Sequence, residues 1–314
     1  MMQKKIDKLD MAARAGWLYY VAGHTQDQIA NEFGISRQSA QRMVSLSISE
    51  KLIKVRLDHP IANCMQLAEK LKQKYMLKEC EIVPSINGNI NNTVGLGQAG
   101  AKMMEEYLES EEPIIMAVGT GRALKMIANE FSPMDGSHHR LLSLVGNMKI
   151  DGSASPHVVV SKLADKIKAT YYPMPLPVIV STKEERILLH NQQSTKNVLN
   201  IAKNVDVSFV GIGHFDKNAP LFKDSFITKN ELNSLIKAKA AGEIIGWAYD
   251  INGDIIEGYT NSRVTSVPLI RNSNKVVIGI AAGENKIMAI KAALKGKLIN
   301  GLITNELCAE ALLE

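Results

Sequence analysis

Apolar positions recur with two rhythms along the chain. In the first sixty residues the spacing is helical. Trp17, Tyr20 and Val21 share one face of the stretch 10–22, which predicts a helix with that aromatic face in a core. Ile29, Ala30 and Phe33 predict a short second helix, broken by Gly34 and followed by Ile35 as a buried turn residue. Ser36 is a suitable N-cap for a third helix that turns Ala40, Met43 and Val44 inward. Residues 50–58 alternate as a short strand, and Pro60 closes the unit. A helical pattern over 62–77 follows, in which Met65, Leu67 and Leu71 suit either an inter-subunit seam or a simple linker.

From about residue 79 short apolar runs alternate with helical patterns. The runs predict strands at 80–83, 113–118, 141–145, 207–212, 243–249, 275–281 and 301–304. Helices are predicted at 95–109, 122–131, 157–171, 193–203, 229–239, 285–296 and 306–313. Such alternation predicts an α/β domain around a mainly parallel sheet. The expected organisation is a DNA-binding domain over 1–60, a linker or oligomerisation helix over 61–78 and a larger α/β domain over 79–314. Residues 85–92 read as a polar loop, and PMPLP (173–177) as a stiff extended connector.

The second and third helices make a helix-turn-helix, whose second helix lies in the DNA major groove. Its outer side has the residues such a helix needs. Arg37 and Arg42 can pair with guanine and Gln38 and Gln41 with adenine, while Ser36 and Ser39 can reach phosphates. The same polar face also suits a hairpin that only meets water. Charge adds a little: residues 1–60 hold nine Lys/Arg against six Asp/Glu, so most of the net +5 lies there. That suits DNA binding through several copies of a small domain. Double-stranded DNA is the expected partner.

At 314 residues and 46% apolar content the chain is long enough for two domains and an ordinary core. Its three cysteines, Cys64, Cys80 and Cys308, lack metal-ligand spacing, so buried thiols in a reducing compartment are expected. The charged start MMQKKIDKLD has no apolar signal region, and no apolar run is long enough to span a bilayer. The expectation is a cytoplasmic protein.

Gly95-Leu96-Gly97-Gln98-Ala99-Gly100 has the dinucleotide spacing but follows a polar loop instead of a strand, so it reads as an ordinary helix start. Gly119-Thr120-Gly121-Arg122 is better placed, directly between a strand and a helix. Ligands gather at the carboxyl ends of strands in open α/β sheets, and a helix start there attracts an anion. A phosphate or polar sugar is the expected guest, although a plain strand–turn–helix junction also accounts for the motif. Other strand ends offer Asn147 beside Gly146, Gly211 and Gly213 with His214, Asp250, and Lys286. Asn252-Gly253 reads as a tight turn, and Lys286 also suits a helix surface. His138, His139 and His190 read as solvated or locally bonded. No nucleophile elbow, paired-carboxylate signature, metal motif or cofactor site is expected.

The chain resembles the SorC family of bacterial transcription regulators over essentially its whole length. The carriers are TQDQIANEFGISRQSAQRMV, GLGQAGAKMMEEYL, VGTGRAL, LVGNM, VSFVGIGHF, GEIIGWAYDINGDII and the block from GIAAGENK to AEALL. The resemblance implies a C-terminal domain similar in fold to sugar-phosphate isomerases and deaminases, used as a sensor without turnover. It also implies a sugar, sugar alcohol or sugar-phosphate effector, a homo-oligomer (typically a tetramer), and regulation of a carbohydrate or polyol operon. Gly119, Thr120, Gly121 and Arg122 match the family's effector loop, and Gly211, Gly213, Asp250 and Lys286 its further pocket walls. One relative holds a lysine for Schiff-base capture where LVGNM has Val145, so the resemblance gives no support for covalent capture. The rival reading is a sugar-phosphate isomerase or deaminase joined to a DNA-binding domain, with Asp250 and His214 as its acid–base pair.

Overall fold

The computed structural model describes residues 2–53, 61–149, 151–155 and 159–314, with side chains from residue 8 onward. These fall into two compact units, Met1–His59 and Pro60–Glu314.

The first unit has three helices, α1 (Met2–Tyr20), α2 (Gln26–Phe33) and α3 (Arg37–Ser49). Thr25 and Gln28 close a reciprocal capping box at the start of α2, and Gly34 ends it in the left-handed region at φ 63°. Ile29, Ala30, Ala40 and Val44 are buried together, with Phe33, Ile35 and Met43 packed at the edge. The aromatic face of α1 lies outside this core, with Trp17 54% and Val21 65% exposed. Ala12, Ala15, Gly16 and Leu18 pack instead, because small residues let α1 lie close against α3. Residues 50–53 turn away from the end of α3 and do not extend as a strand. The rest of the expected strand, 54–58, and Pro60 lie outside the described residues.

The second unit begins with α4 (Ala62–Tyr75). Cys64, Leu67, Ala68 and Leu71 are buried against the rest of that unit, where α4 packs on β1 (Glu79–Val83) and α13 (Glu306–Leu313). Leu67 and Leu71 therefore face inward within their own chain, and of the expected seam only Met65 is exposed. The remaining main strands are β2 (Ile115–Val118), β3 (Arg140–Met148), β4 (Thr170–Pro177), β5 (Val207–Gly211), β9 (Val276–Ile280) and β10 (Gly301–Asn305). They form one parallel sheet with β1, in the order β1-β10-β9-β5-β2-β3-β4.

Strand residues alternate between two cores, as a sheet covered on both faces requires. Ala117, Leu142 and Val210 enter one; Met116, Val118, Leu141 and Phe209 enter the other. Helices α5 (Leu96–Leu108), α6 (Arg122–Glu130) and α7 (Val160–Ile167) supply the second core. Helices α9 (Gln193–Ala202), α11 (Lys229–Lys237) and α12 (Ile287–Lys295) supply the first. The glycines of the rejected dinucleotide motif serve packing: Gly97 and Gly100 of α5 lie against Met126 and Ile127 of α6.

Two short helices complete the unit, α8 (Lys183–His190) and α10 (Pro220–Lys223). The stretch 243–249, expected as one strand of the main sheet, is a hairpin of β7 (Gly242–Ile244) and β8 (Trp247–Tyr249). Ile245 and Gly246 both have positive φ, 47° and 89°, which is the two-residue turn that reverses a strand tightly. With β6 (Gly213–His214) the hairpin makes a separate antiparallel sheet. Among the described residues no helix is long and apolar enough to cross a membrane.

Candidate functional sites

The third helix of the first unit starts on a satisfied cap. Ser36 Oγ accepts the Ser39 N–H at 3.2 Å, and the two hydroxyls lie 2.9 Å apart. Ser36, Arg37, Gln38, Gln41 and Arg42 are exposed and Ser39 is half-exposed, opposite buried Ala40 and Val44. Arg37 Nε lies 3.5 Å from Asp27 Oδ1 of α2, with both side chains well exposed. A solvent-facing pair of that kind is worth little in water and yields readily to a phosphate. The expected contact set thus forms one continuous polar face on the start of α3.

In the second unit the strand order reverses direction between β2 and β5, since the chain runs outward from β2 through β3 to β4 and then crosses back to place β5 on the other side of β2. At such a switch point the loops leaving the two strands diverge and open a crevice. A cavity of about 130 Å³ occupies it, lined by Thr120, Gly121 and Arg122 after β2 and by Gly211, Ile212, Gly213 and His214 after β5. Val145 and Val178 come from the ends of β3 and β4, and Lys286 from the loop before α12. The segment around α10 adds Pro220, Leu221, Asp224 and Phe226, and the small hairpin adds Glu243, Ile245 and Gly246.

Glu243 is the residue that reading the sequence missed. Its Oε2 accepts the Gly246 N–H at 2.9 Å across the hairpin turn, which fixes the carboxylate. Opposite it stands Gly213, its register partner, where a Cβ would come within 2.1 Å of Glu243 Oε1. Only a glycine leaves room for that carboxylate. Burial pushes the Glu243 carboxyl up, while the Gly246 N–H and the Lys286 charge pull it down, leaving it raised. Burial pushes Lys286 down, and Glu243 opposes that. His214 is held below the usual imidazole value, first by burial and against the pull of Asp216. Its Nε2 lies 3.2 Å from Asp216 Oδ1, without hydrogen-bond alignment. The signal for Glu243 was a lone carboxylate inside the apolar run of 243–249.

The cavity thus brings together Thr120, Gly121, Arg122, Gly211, Gly213 and Lys286. Gly119 sits just behind, its N–H given to Phe209 O at 2.8 Å and its Cα against Ile245. Asn147 is not among the lining residues; it holds a local turn, its carbonyl accepting the Ser155 N–H, and Val145 faces the cavity instead. Asp250 is also outside the lining. Its Oδ1 accepts the N–H groups of Asn252 and Asp254, so it builds the turn at Asn252-Gly253. The pairing of Asp250 with His214 required by the enzymatic alternative is therefore not assembled. The histidines of the sequence reading are locally bonded: His138 to Ser110 O, His139 to Leu108 O and His190 to Thr265 O.

Residues 59–314 match the family model Sugar-bind, described as "Putative sugar-binding domain". The chain is 30% identical over 303 residues to the erythritol catabolism regulatory protein EryD of Brucella abortus, covering 96% of both chains. It is 30% identical over 310 residues to the transcriptional regulator LsrR of Klebsiella pneumoniae, covering 97% of this chain and 93% of that one. Among solved structures, the full-length sorbitol operon regulator SorC from Klebsiella pneumoniae superposes with a TM-score of 0.73 at 25% identity, covering 97% and 98% of the two chains. The likeness therefore spans both units. The chain belongs to the SorC family of sugar-responsive transcriptional regulators.

Proposed function

We propose that this regulator reads operator DNA with Ser36, Arg37, Gln38, Ser39, Gln41 and Arg42, and takes its effector in the cavity at the β2–β5 switch point. The observation that carries the second half is convergence. Loops lying between Thr120 and Lys286 in the sequence meet around one cavity with Thr120, Arg122, Glu243 and Lys286 on its wall. Such concentration of polar groups in a mostly apolar cleft is the usual form of a small-molecule site. The effector is a sugar, sugar alcohol or sugar phosphate, in keeping with the erythritol and sorbitol named for two relatives. The protein acts in the cytoplasm as a homo-oligomer, expected to be a tetramer, with no cofactor and no turnover.

The test is separation of the two activities. Arg122→Ala is expected to abolish the ligand response in a fluorescence DNA titration while leaving ligand-free DNA affinity within about twofold. An unchanged response would move the effector elsewhere. A turnover assay on a panel of phosphosugars addresses the enzymatic alternative, and product formation would overturn the sensor reading.

A further inference from the structure

Lys286 reaches the cavity from a short turn, Glu284–Lys286, whose backbone is held from outside the cavity. The Glu284 N–H donates to Asn91 Oδ1 at 3.0 Å, and the Gly283 N–H donates to Cys308 Sγ of α13 at 3.2 Å. Asn91 is pinned in turn from below. Buried Asn305, at the end of β10, donates through Nδ2 to Ile90 O and Asn92 O, both at 2.8 Å, on either side of Asn91. Its Oδ1 accepts the Cys308 N–H at 2.9 Å and so caps α13. One amide thereby ties the loop that holds Glu284 to the first turn of α13.

The next residue carries the connection onward. The Glu306 carboxylate accepts from Asn63 Nδ2, in the first turn of α4, at 3.0 Å and from the Ser85 N–H at 2.8 Å. The far ends of the same two helices are also joined. Lys74 Nζ donates to Leu312 O at 3.0 Å and to Leu313 O at 2.7 Å, and Tyr75 Oη–H donates to Leu312 O at 2.9 Å. The helices α4 and α13 therefore run side by side in one direction, pinned at both ends. The first turn of α4 lies at the start of the second unit, where the chain enters from the helix-turn-helix unit. Removing one member of such a network strands its partner, so the bonds hold or fail together. Groups that share a network also affect each other reciprocally.

We propose that Asn91, Asn305 and Glu306 are positioning residues that join the Lys286 wall of the cavity to the first turn of α4. A ligand that displaces Lys286 then displaces the point where the helix-turn-helix unit is attached, a step that rests on the cavity being the effector site. Hydrogen exchange of the full-length protein, read by mass spectrometry, tests the join without a ligand. Asn91 and Asn63 are both exposed, so replacing either leaves the core closed. Asn91→Ala is expected to speed exchange over 61–66 at least about twofold, and Asn63→Ala to do so over 281–286. The double variant should fall short of the product of the two effects, because either change alone already breaks the network. Asn91→Asp keeps the acceptor oxygen and is expected to restore wild-type exchange over 61–66. Lys286→Met, a change made inside the cavity, should alter exchange over 61–66 in the wild type but not beside Asn91→Ala. Effects confined to the substituted end, multiplying effects in the double variant, or equal loosening of α6 would overturn the proposal. So would wild-type exchange over 61–66 in Lys286→Met. Because no ligand is used, failure here is separate from failure of the effector site, which the DNA titration of Arg122→Ala reads.

Discussion

Ser36 shows how much a single side chain decides. Its hydroxyl satisfies one of the unpaired N–H groups at the start of α3, the turn that carries Arg37 and Gln38. Ser36→Ala is expected to cost about 1 kcal/mol locally, read as roughly fivefold faster hydrogen exchange at the amides of the first turn of α3. Unchanged exchange would mean that the cap does not hold the helix. This residue was legible because its effect is local: a hydroxyl one position before a helical pattern means the same thing in most chains. Thr120, Gly121 and Arg122 were legible for a similar reason, since a strand followed at once by a helix fixes where its loop must lie. Glu243 was not. Its position depends on pairing with Gly213, thirty residues earlier, and such a register is set by tertiary contacts. Asp250 erred in the other direction, because an aspartate after a strand serves a turn as readily as a ligand.

The elements divide along the same line. All seven sequence-derived strands contain strand residues, and six of them enter the parallel sheet, because buried parallel strands read as continuous apolar runs. TYYPMPLP was hidden by its prolines. It forms β4 at the sheet edge, where exposed Pro173 and Pro175 alternate with buried Met174 and Leu176. An edge strand has one free side, so its prolines need not interrupt the pairing. The hairpin at 243–249 was hidden because Ile245 takes a left-handed conformation that β-branched residues rarely adopt.

Another joint between elements is testable by pH. Glu306 opens α13 and ties it to α4 and the loop after β1, accepting from Asn63 Nδ2 at 3.0 Å and the Ser85 N–H at 2.8 Å. Burial raises its carboxyl, but the bonds from Ser85, Asn63 and Cys64 outweigh that and hold it below the ordinary 4.5. A carboxyl lowered by folding stabilises the protein above its unfolded value, and that stabilisation fades as pH falls through the folded one. Glu306→Gln should therefore lower the urea midpoint at pH 7, and the gap to wild type should shrink below about pH 4.5. A gap constant with pH would show that the charge contributes nothing to the joint.

For the molecule as a whole the two units matter through linkage. An effector that changes DNA affinity by some factor has its own affinity changed by the same factor when DNA is bound. Arg37→Ala and Arg42→Ala are each expected to weaken operator binding, by about 1–3 kcal/mol if the side chain pairs with a base, while leaving effector affinity in the absence of DNA intact. Gel shifts and calorimetry on the same preparations check both halves. Wild-type operator affinity in both variants would remove these residues from the DNA contact.

The cysteines open a route to the geometry behind that coupling. Cys64, Cys80 and Cys308 are all buried, and burial pushes the thiols of Cys64 and Cys80 up to about 12. Maleimides attack thiolates, so the native chain should label sluggishly. A cysteine placed at exposed Ser45 of α3 would then be the dominant point of attachment. Spin labels there would make the spacing between copies of α3 in the proposed homo-oligomer a distance measurable with and without a candidate effector, on a molecule otherwise unaltered.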